Sequence, residues 1–470
     1  MRPTRKTDLA PFFEPRNVAV IGSLAEVVGL GQVAIRNMLQ FGYSGGIYPV
    51  NPSYSEVLGL KVYPSIDEVA EAVDVAIVIT PPATVPGIVE QCAHKGVRAA
   101  VVVTENFAEA GNDGAELQQR LVDVGRRTGI RVMGPNTVGL VNTANGFTTV
   151  PYFIAYERIR SGGVAYCSQS GFVGPAAQPL EDRAYPVSKM CDVGNKCDVN
   201  EVDLLDYLAT DLETKVVAMH LEDVKDGRAF MEAARKLVAH KPLLIFKAGR
   251  SEDGARASAS HTGSLAGNEL IFDAALRQVG AIRVNSWQEY WDLPRLFATQ
   301  PLPGGNRVAI ITLTGGAGVV AVDVAIDAGL ALSVFSGTTA ERLGKLSSRL
   351  VRNPVDLGPI LSVSEDPFSV HEEAIAMVLD DASVDCAVIA IYAGFEGMFP
   401  PILEMFGRLK RHVTKPVAVW VYGMKLSVME EMSRQLEAQG QATYLDLETA
   451  VKALGAAAYY SGLRSALESS

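Results

Sequence analysis

The stretch Gly162-Gly163-Val164-Ala165-Tyr166-Cys167-Ser168-Gln169-Ser170-Gly171 reads as a buried strand that stops on a turn of small polar residues. The apolar run from Val164 to Cys167 is too short for a helix and leads straight into two serines and a glycine, residues that open helices. Strand, tight turn and helix in that order are the repeating unit of a parallel sheet with helices on both faces. Two hydroxyls and several backbone amides converge on the positive end of the expected helix, so the turn is either an anion site or a plain serine cap.

The same unit extends to both sides. Upstream, Val18-Ala19-Val20-Ile21-Gly22 leads through Gly29 and Gly31 into a helix expected near Gln32. Further strands are expected near Ile47 to Val50, Val75 to Thr80, Ala99 to Thr104 and Val132 to Gly134, with helices at Ile66 to Ala72 and Leu117 to Thr128. This first block has a Rossmann-like layout. The second block continues through Val187 to Val193, Val216 to Glu222, Leu243 to Lys247 and Ala281 to Asn285. Beyond Gln300-Pro301-Leu302-Pro303-Gly304-Gly305, where both periodicities break, a third block opens with Arg307 to Leu313 and Gly315-Gly316-Ala317-Gly318. Its later strands are Ala387 to Tyr392, Val417 to Tyr422 and Thr443 to Leu445. The second and third blocks share their order, down to Gly194-Asn195-Lys196-Cys197-Asp198 in one and Asn353-Pro354-Val355-Asp356 in the other, which suggests a weak internal repeat of a flavodoxin-like unit. The expected domains are 1–147, 148–300 and 301–470.

Length and composition agree with three globular α/β domains, since 470 residues divide into about three at roughly 150 residues each. A net charge of -11 disfavours nucleic acid and anionic membrane as partners and leaves small-molecule chemistry as the default. Five scattered cysteines without a C-x-x-C pair support neither a disulfide framework nor a zinc site, and no metal ligand set is expected. With no apolar run long enough for export or membrane insertion, a cytoplasmic location is expected.

The glycine turn after Ile21 could hold a phosphate, but its spacing departs from G-x-G-x-x-G. Val50-Asn51-Pro52 stands where a ribose-binding acid would follow the second strand, which disfavours NAD; the alternative is a turn that merely packs strand on helix. His261 stands in Gly254 to Gly267, a loop of small residues in which Ser260, Thr262 and Ser264 could hydrogen-bond phosphoryl oxygens. An imidazole so presented suits covalent phosphoryl transfer through nitrogen. Glu222 ends an apolar strand at the carboxyl edge of its sheet, where it would either fix the tautomer of His261 and stabilise the cation formed on phosphorylation, or be a solvated strand-end acid. Lys247, Arg250 and Arg256 offer positive charge nearby or are simply solvated. The Gly315 turn is another anion site or tight glycine packing, and Trp287 with Trp291, at i and i+4, reads as a core or interface ridge.

Six motifs in one order now carry a resemblance: Gly134-Pro135-Asn136, Ser168-Gln169-Ser170-Gly171, Gly194 to Val199, Glu222 with Asp226-Gly227-Arg228, Ser260-His261-Thr262-Gly263 and Asn353-Pro354-Val355-Asp356-Leu357. Over essentially its whole length the chain resembles the α subunit of NDP-forming acyl-CoA synthetases, the ADP-forming acetate–CoA ligase group related to succinyl-CoA synthetase. The resemblance implies a Rossmann-like CoA-binding domain followed by two flavodoxin-like domains. It implies an acid–thiol ligase that interconverts a carboxylic acid, CoA and ATP with acyl-CoA, ADP and phosphate through a phosphohistidine.

On that resemblance His261 and Glu222 are the catalytic pair. Ser168, Ser170, Gly171, Thr262 and Gly263 hold phosphate. CoA is held by Gly22, Ser23, Gly31, Val50, Asn51, Pro81, Thr104, Glu105, Asn136, Gly194 and Asn195. Phe153, Phe172 and Tyr185 are candidate liners of the acyl pocket. The family pattern also implies a separate ATP-grasp β subunit carrying ATP or ADP with Mg²⁺, in an α2β2 assembly. The chain departs from the pattern at Ser53, at Gly22-Ser23-Leu24-Ala25, at Thr104-Glu105-Asn106-Phe107, and at Leu313 and Ala317. Those departures motivate an alternative, a catalytically inactive CoA-binding regulatory or scaffold protein of the same fold.

Overall fold

The computed structural model describes residues 8–26, 29–152, 159–171, 185–254, 256–257, 268–410 and 414–469. The chain forms two compact units, the first reaching Asn285 and the second running from Ser286 onward.

The first unit holds two sheets. Its leading sheet comprises β1 (Asn17–Gly22), β2 (Gly46–Val50), β3 (Val75–Ile79), β4 (Ala99–Val102) and β5 (Arg131–Met133), all parallel, in the order β2-β1-β3-β4-β5. Every residue of β3 is buried, as a central strand covered on both faces requires. Each such Val or Ile side chain stabilises the fold by about 1.5–3 kcal/mol. The strand order reverses between β1 and β3, which opens a crevice at their carboxyl ends. One expected helix is corrected: Ile66 to Ala72 is only a short 3-10 turn, Ile66–Glu68. Val69 and Val73 are both drawn into the core, and the Ala72 carbonyl accepts from Asn17 Nδ2 at 2.7 Å, so the segment cannot close further helical bonds.

The second sheet adds β6 (Leu140–Asn142), β7 (Phe147–Thr148), β8 (Ser161–Ser168), β9 (Val187–Asp192), β10 (Val216–Leu221), β11 (Leu243–Lys247) and β12 (Ile282–Val284), in the order β12-β11-β10-β8-β9-β6-β7. Strands β8 to β12 are mutually parallel, whereas β6 and β7 form an antiparallel extension beside β9, so the division expected at 147/148 falls within that hairpin. The strand order reverses between β8 and β10. The helix expected after Gly171 lies outside the described residues.

The second unit holds the third sheet: β13 (Arg307–Thr312), β14 (Ala331–Leu332), β15 (Val355–Asp356), β16 (Cys386–Tyr392), β17 (Val417–Tyr422) and β18 (Ala442–Tyr444). Their order is β14-β13-β16-β17-β18, all parallel, with β15 paired to the carboxyl end of β13. The helices Trp287–Asp292 and Pro294–Thr299 belong to this unit, so it begins before the proline-glycine linker at 300–305. Trp287 and Trp291 both meet Tyr290 edge-on, at 6.2 and 5.3 Å, which makes them part of an aromatic core ridge.

Candidate functional site

β8 ends on Ser168, and the backbone turns around that side chain. Ser168 Oγ donates to the Ser170 carbonyl at 2.7 Å and accepts the Ser170 N–H at 2.9 Å, while Nδ1 of His220 on β10 lies 3.2 Å away. The buried hydroxyl is fully used, so Ser168 shapes the turn, and Ser170 and Gly171 are the half-buried residues at its tip. His220, unremarked in the sequence because its neighbours are apolar, is thereby part of the site.

Gln169 then fixes the end of β10. Its Oε1 accepts from the backbone N–H of Glu222 at 2.9 Å and of Asp223 at 3.1 Å, and its Nε2 donates to Asp223 Oδ1. Glu222 is only 7% exposed, which corrects its reading as a solvated strand-end acid. Beside it, Lys247 ends β11, in register with Leu221; burial pushes its ammonium down from the usual lysine range, against the pull of Glu269. Arg250, half-exposed, reaches Asn285 and Glu269, and Arg256 pairs with Asp253 at the exposed surface.

Two further buried ions were not singled out in the sequence. Lys196, with a side chain 1% exposed, meets Asp223 Oδ1 at 2.6 Å and Glu201 Oε2 at 3.0 Å. Burial would raise the Asp223 carboxyl, but the Lys196 ammonium outweighs it and holds the group below the ordinary carboxylate range. Asp192, ending β9, accepts the N–H groups of Gly194 at 3.0 Å and Val138 at 2.9 Å. Burial nevertheless pushes its carboxyl up to about 6, and the nearby Glu222 charge adds to the rise. His261, Thr262 and Gly263 lie outside the described residues, as do Phe153 and Phe172. Tyr185 is buried, edge-on to Tyr166 at 6.2 Å.

The residues expected to hold CoA gather at the carboxyl edge of the first sheet. Gly22 has φ +124°, and a Cβ there would stand 1.9 Å from the Ile79 carbonyl, so only glycine lets β1 turn against β3. Asn51, following Val50, braces the turn by donating from Nδ2 to the Gly22 carbonyl at 2.8 Å. Gly31 donates its N–H to Ser23. Thr104 Oγ1 donates to the Thr80 carbonyl, beside Pro81, and the Asn136 N–H donates to the Thr104 carbonyl. Glu105 is exposed at the same edge. Gln32, on the first turn of helix Leu30–Phe41, is buried with its Oε1 lacking any partner among the described residues, an acceptor that fits a ligand bearing N–H or O–H groups.

Gly194 and Asn195 join the two edges. Gly194 (φ +53°) passes so close to Pro135 that a Cβ would lie 2.3 Å from its carbonyl oxygen. Asn195 donates its N–H to that same carbonyl, receives Asn136 Nδ2 at 3.4 Å, and donates its own Nδ2 to Gln118 and Glu109. Among the described residues no group of three His, Cys, Asp or Glu side chains is arranged to hold a metal ion, and no helix is long and apolar enough to cross a membrane.

Two family models match: a CoA binding domain over residues 16–143, within the first unit, and a succinyl-CoA ligase like flavodoxin domain over 161–297, which runs into the start of the second unit. The chain is 37% identical to acetate–CoA ligase [ADP-forming] II of Archaeoglobus fulgidus, over 97% of this chain and 68% of that protein. It is 38% identical to the α subunit of acetate–CoA ligase [ADP-forming] II of Pyrococcus furiosus, over 92% of this chain and 93% of that subunit. The solved acetyl-coenzyme A synthetase 1 of Ca. Korarchaeum cryptofilum, in complex with phosphate and ADP, superposes with a TM-score of 0.88 at 31% identity, covering 98% of this chain and 99% of that one. A carboxyl-edge site flanked by a CoA-binding sheet, with relatives of this identity and coverage, leads to one conclusion: the chain belongs to the NDP-forming acyl-CoA synthetases, the acid–thiol ligases of the ADP-forming acetate–CoA ligase group.

Proposed function

We propose that this chain is the α subunit of an acyl-CoA synthetase in which His261 carries the phosphoryl group between nucleotide and acid. ATP transfers its γ-phosphoryl group to the His261 ring nitrogen and leaves as ADP. The acid's carboxylate then takes that group, which frees the imidazole and gives an acyl phosphate. Finally the CoA thiol attacks the acyl carbon, loses its proton and expels phosphate. Splitting the transfer in this way lowers each barrier.

The observation that carries this reading is the buried Glu222 carboxylate at the switch point between β8 and β10, beside the turn tipped by Ser170 and Gly171. A carboxylate so placed would accept the proton of one imidazole nitrogen and leave the other nucleophilic. Ser170 and Gly171, with Thr262 and Gly263, would offer donors to the phosphoryl oxygens. CoA would lie along the first sheet's edge, with Gln32 as an added contact and its thiol end towards Gly194 and Asn195. Mg²⁺ with ATP or ADP would be held by a separate ATP-grasp β subunit in an α2β2 assembly in the cytoplasm. Acetate is the first acid to test, since both relatives are named for it. Those names also favour turnover over a CoA-binding scaffold.

The test is labelling with [γ-³²P]ATP, Mg²⁺ and an ATP-grasp partner chain. Acid-labile label is expected on the native chain and lost in His261→Ala; label retained in that variant refutes the carrier role.

A further inference from the structure

Lys196 belongs to none of the groups that the proposed chemistry uses, yet at 3% exposure it is more completely buried than Glu222 at 7%. Its Nζ donates to the Asp223 carbonyl at 2.9 Å and to Glu201 Oε2 at 3.0 Å, and forms an ion pair with Asp223 Oδ1 at 2.6 Å, so three oxygens surround the ammonium. Asp223 is also held by Gln169, whose Oε1 accepts the N–H of both Glu222 and Asp223. The backbone on either side of Lys196 is tied down as well: its carbonyl and that of Asn195 are reached by Lys225 Nζ, its N–H donates to Val193, and the Cys197 N–H donates to Gly134. Lys196 itself adopts φ +51°, a conformation uncommon for a long side chain.

Burying a lysine with two carboxylates is a weak way to gain stability, because desolvation offsets most of the attraction. What such a cluster fixes is position. Here the fixed element is the corner after β10, whose first residue is Glu222, and the residue that fixes it sits next to Asn195. We propose that Lys196 is a positioning residue that, through Asp223 and with Gln169, locks the Glu222 carboxylate in register with the Gly194-Asn195 loop. This inference rests on the role given above to Glu222. A carboxylate displaced by about 1 Å from its productive position costs about 100-fold in rate. Loss of Lys196 therefore lowers kcat, while binding of CoA through the first sheet's edge is left nearly intact.

The test compares Lys196→Met with the neutral triple variant Lys196→Met/Glu201→Gln/Asp223→Asn, both assayed with the ATP-grasp partner. The single variant leaves two buried carboxylates unpaired and is expected to lose thermal stability; the triple variant removes both and recovers it. Positioning predicts that the triple variant, although folded, still shows kcat down by about 100-fold with KM for CoA changed by less than about threefold. It also predicts an altered pH profile for transfer of label from the ³²P-enzyme to ADP, and partial rescue by Lys196→Arg. A folded triple variant with native kcat and pH profile overturns the proposal, as does one in which KM for CoA rises while kcat holds. A native chain that takes no label on His261 removes the histidine reading and this inference together; a labelled native chain beside an unimpaired triple variant removes this inference alone.

Discussion

The second and third sheets are wired alike and equipped differently. In both, the first strand of the block ends on a hydroxyl that donates to the carbonyl two residues on and accepts that residue's N–H: Ser168 with Ser170, and Thr312 with Thr314. In both, the partner strand ends on an aspartate that caps the N–H two residues later, Asp192 with Gly194 and Asp356 with Gly358. Register aligns Cys167 with Met219 in one sheet and Ile311 with Ile389 in the other. Counting on from those pairs, His220 corresponds to Ala390, Glu222 to Tyr392 and, across the next strand, Lys247 to Val421. One edge is therefore ionic and buried, and the other carries stacked rings, Trp420 on Tyr422 at 4.5 Å. Strand order supplies the turn and the crevice; the residues at three strand ends decide whether chemistry can occur there.

The largest effect should come from breaking that contrast at its centre. Glu222→Gln keeps the shape but removes the charge that would stabilise an imidazolium, so kcat is expected to fall by about 100- to 1,000-fold. Tyr392→Phe, at the equivalent place, should change it by less than about threefold. Steady-state acyl-CoA formation measures both, and equal losses would mean that the two edges share the chemistry.

How much of this contrast was legible in the sequence follows from distance along the chain. Each strand, its turn and the expected Ser168 and Gly315 helix starts are local patterns of apolar runs and small polar residues, so the α/β class and the placement of Glu222 at a strand end could be read directly. The short strands Ala331–Leu332 and Val355–Asp356 carry too few residues for a periodicity and were missed. The partners that bury and orient Glu222 are not local. Gln169 reaches Asp223 across 54 positions and Lys196 across 27, and neither contact leaves a spacing to recognise. His220 leaves no signal for the same reason: only folding brings it 3.2 Å from Ser168.

A second difference concerns protons. The Asp192 carboxyl, raised by burial from 3.8 to about 6, holds its proton more tightly folded than unfolded, so the stability it lends is full below about pH 4 and is lost as pH rises through about 6. His371, on helix Pro367–Asp380 of the second unit, behaves oppositely. Burial lowers it from 6.5 to about 4, so its contribution is present above 6.5 and is lost as pH falls through about 4. Each shift is worth on the order of 3 kcal/mol. Hydrogen exchange followed from pH 4 to 7 should show the second sheet losing protection with rising pH and the His371 helix gaining it. Asp192→Asn and His371→Leu should each flatten one slope only.

The smallest effect tests the shared wiring itself. Ser168→Ala and Thr312→Val each remove a buried hydroxyl that serves one N–H and one carbonyl, while valine keeps the methyl of Thr312; the expected loss is about 1–3 kcal/mol. The two should not be equal. His220 Nδ1 also faces Ser168 Oγ, and because the hydroxyl's only proton goes to the Ser170 carbonyl, that nitrogen must act as the donor. Alanine at 168 leaves a buried ring N–H without this acceptor, whereas position 312 lies level with Ala390, whose side chain has no hydrogen bond to lose. Denaturant unfolding, resolved unit by unit, should therefore show Ser168→Ala as the costlier change by about 1 kcal/mol. Equal costs would indicate that the imidazole finds another partner, and that the second turn is no more specialised in its stability than the third.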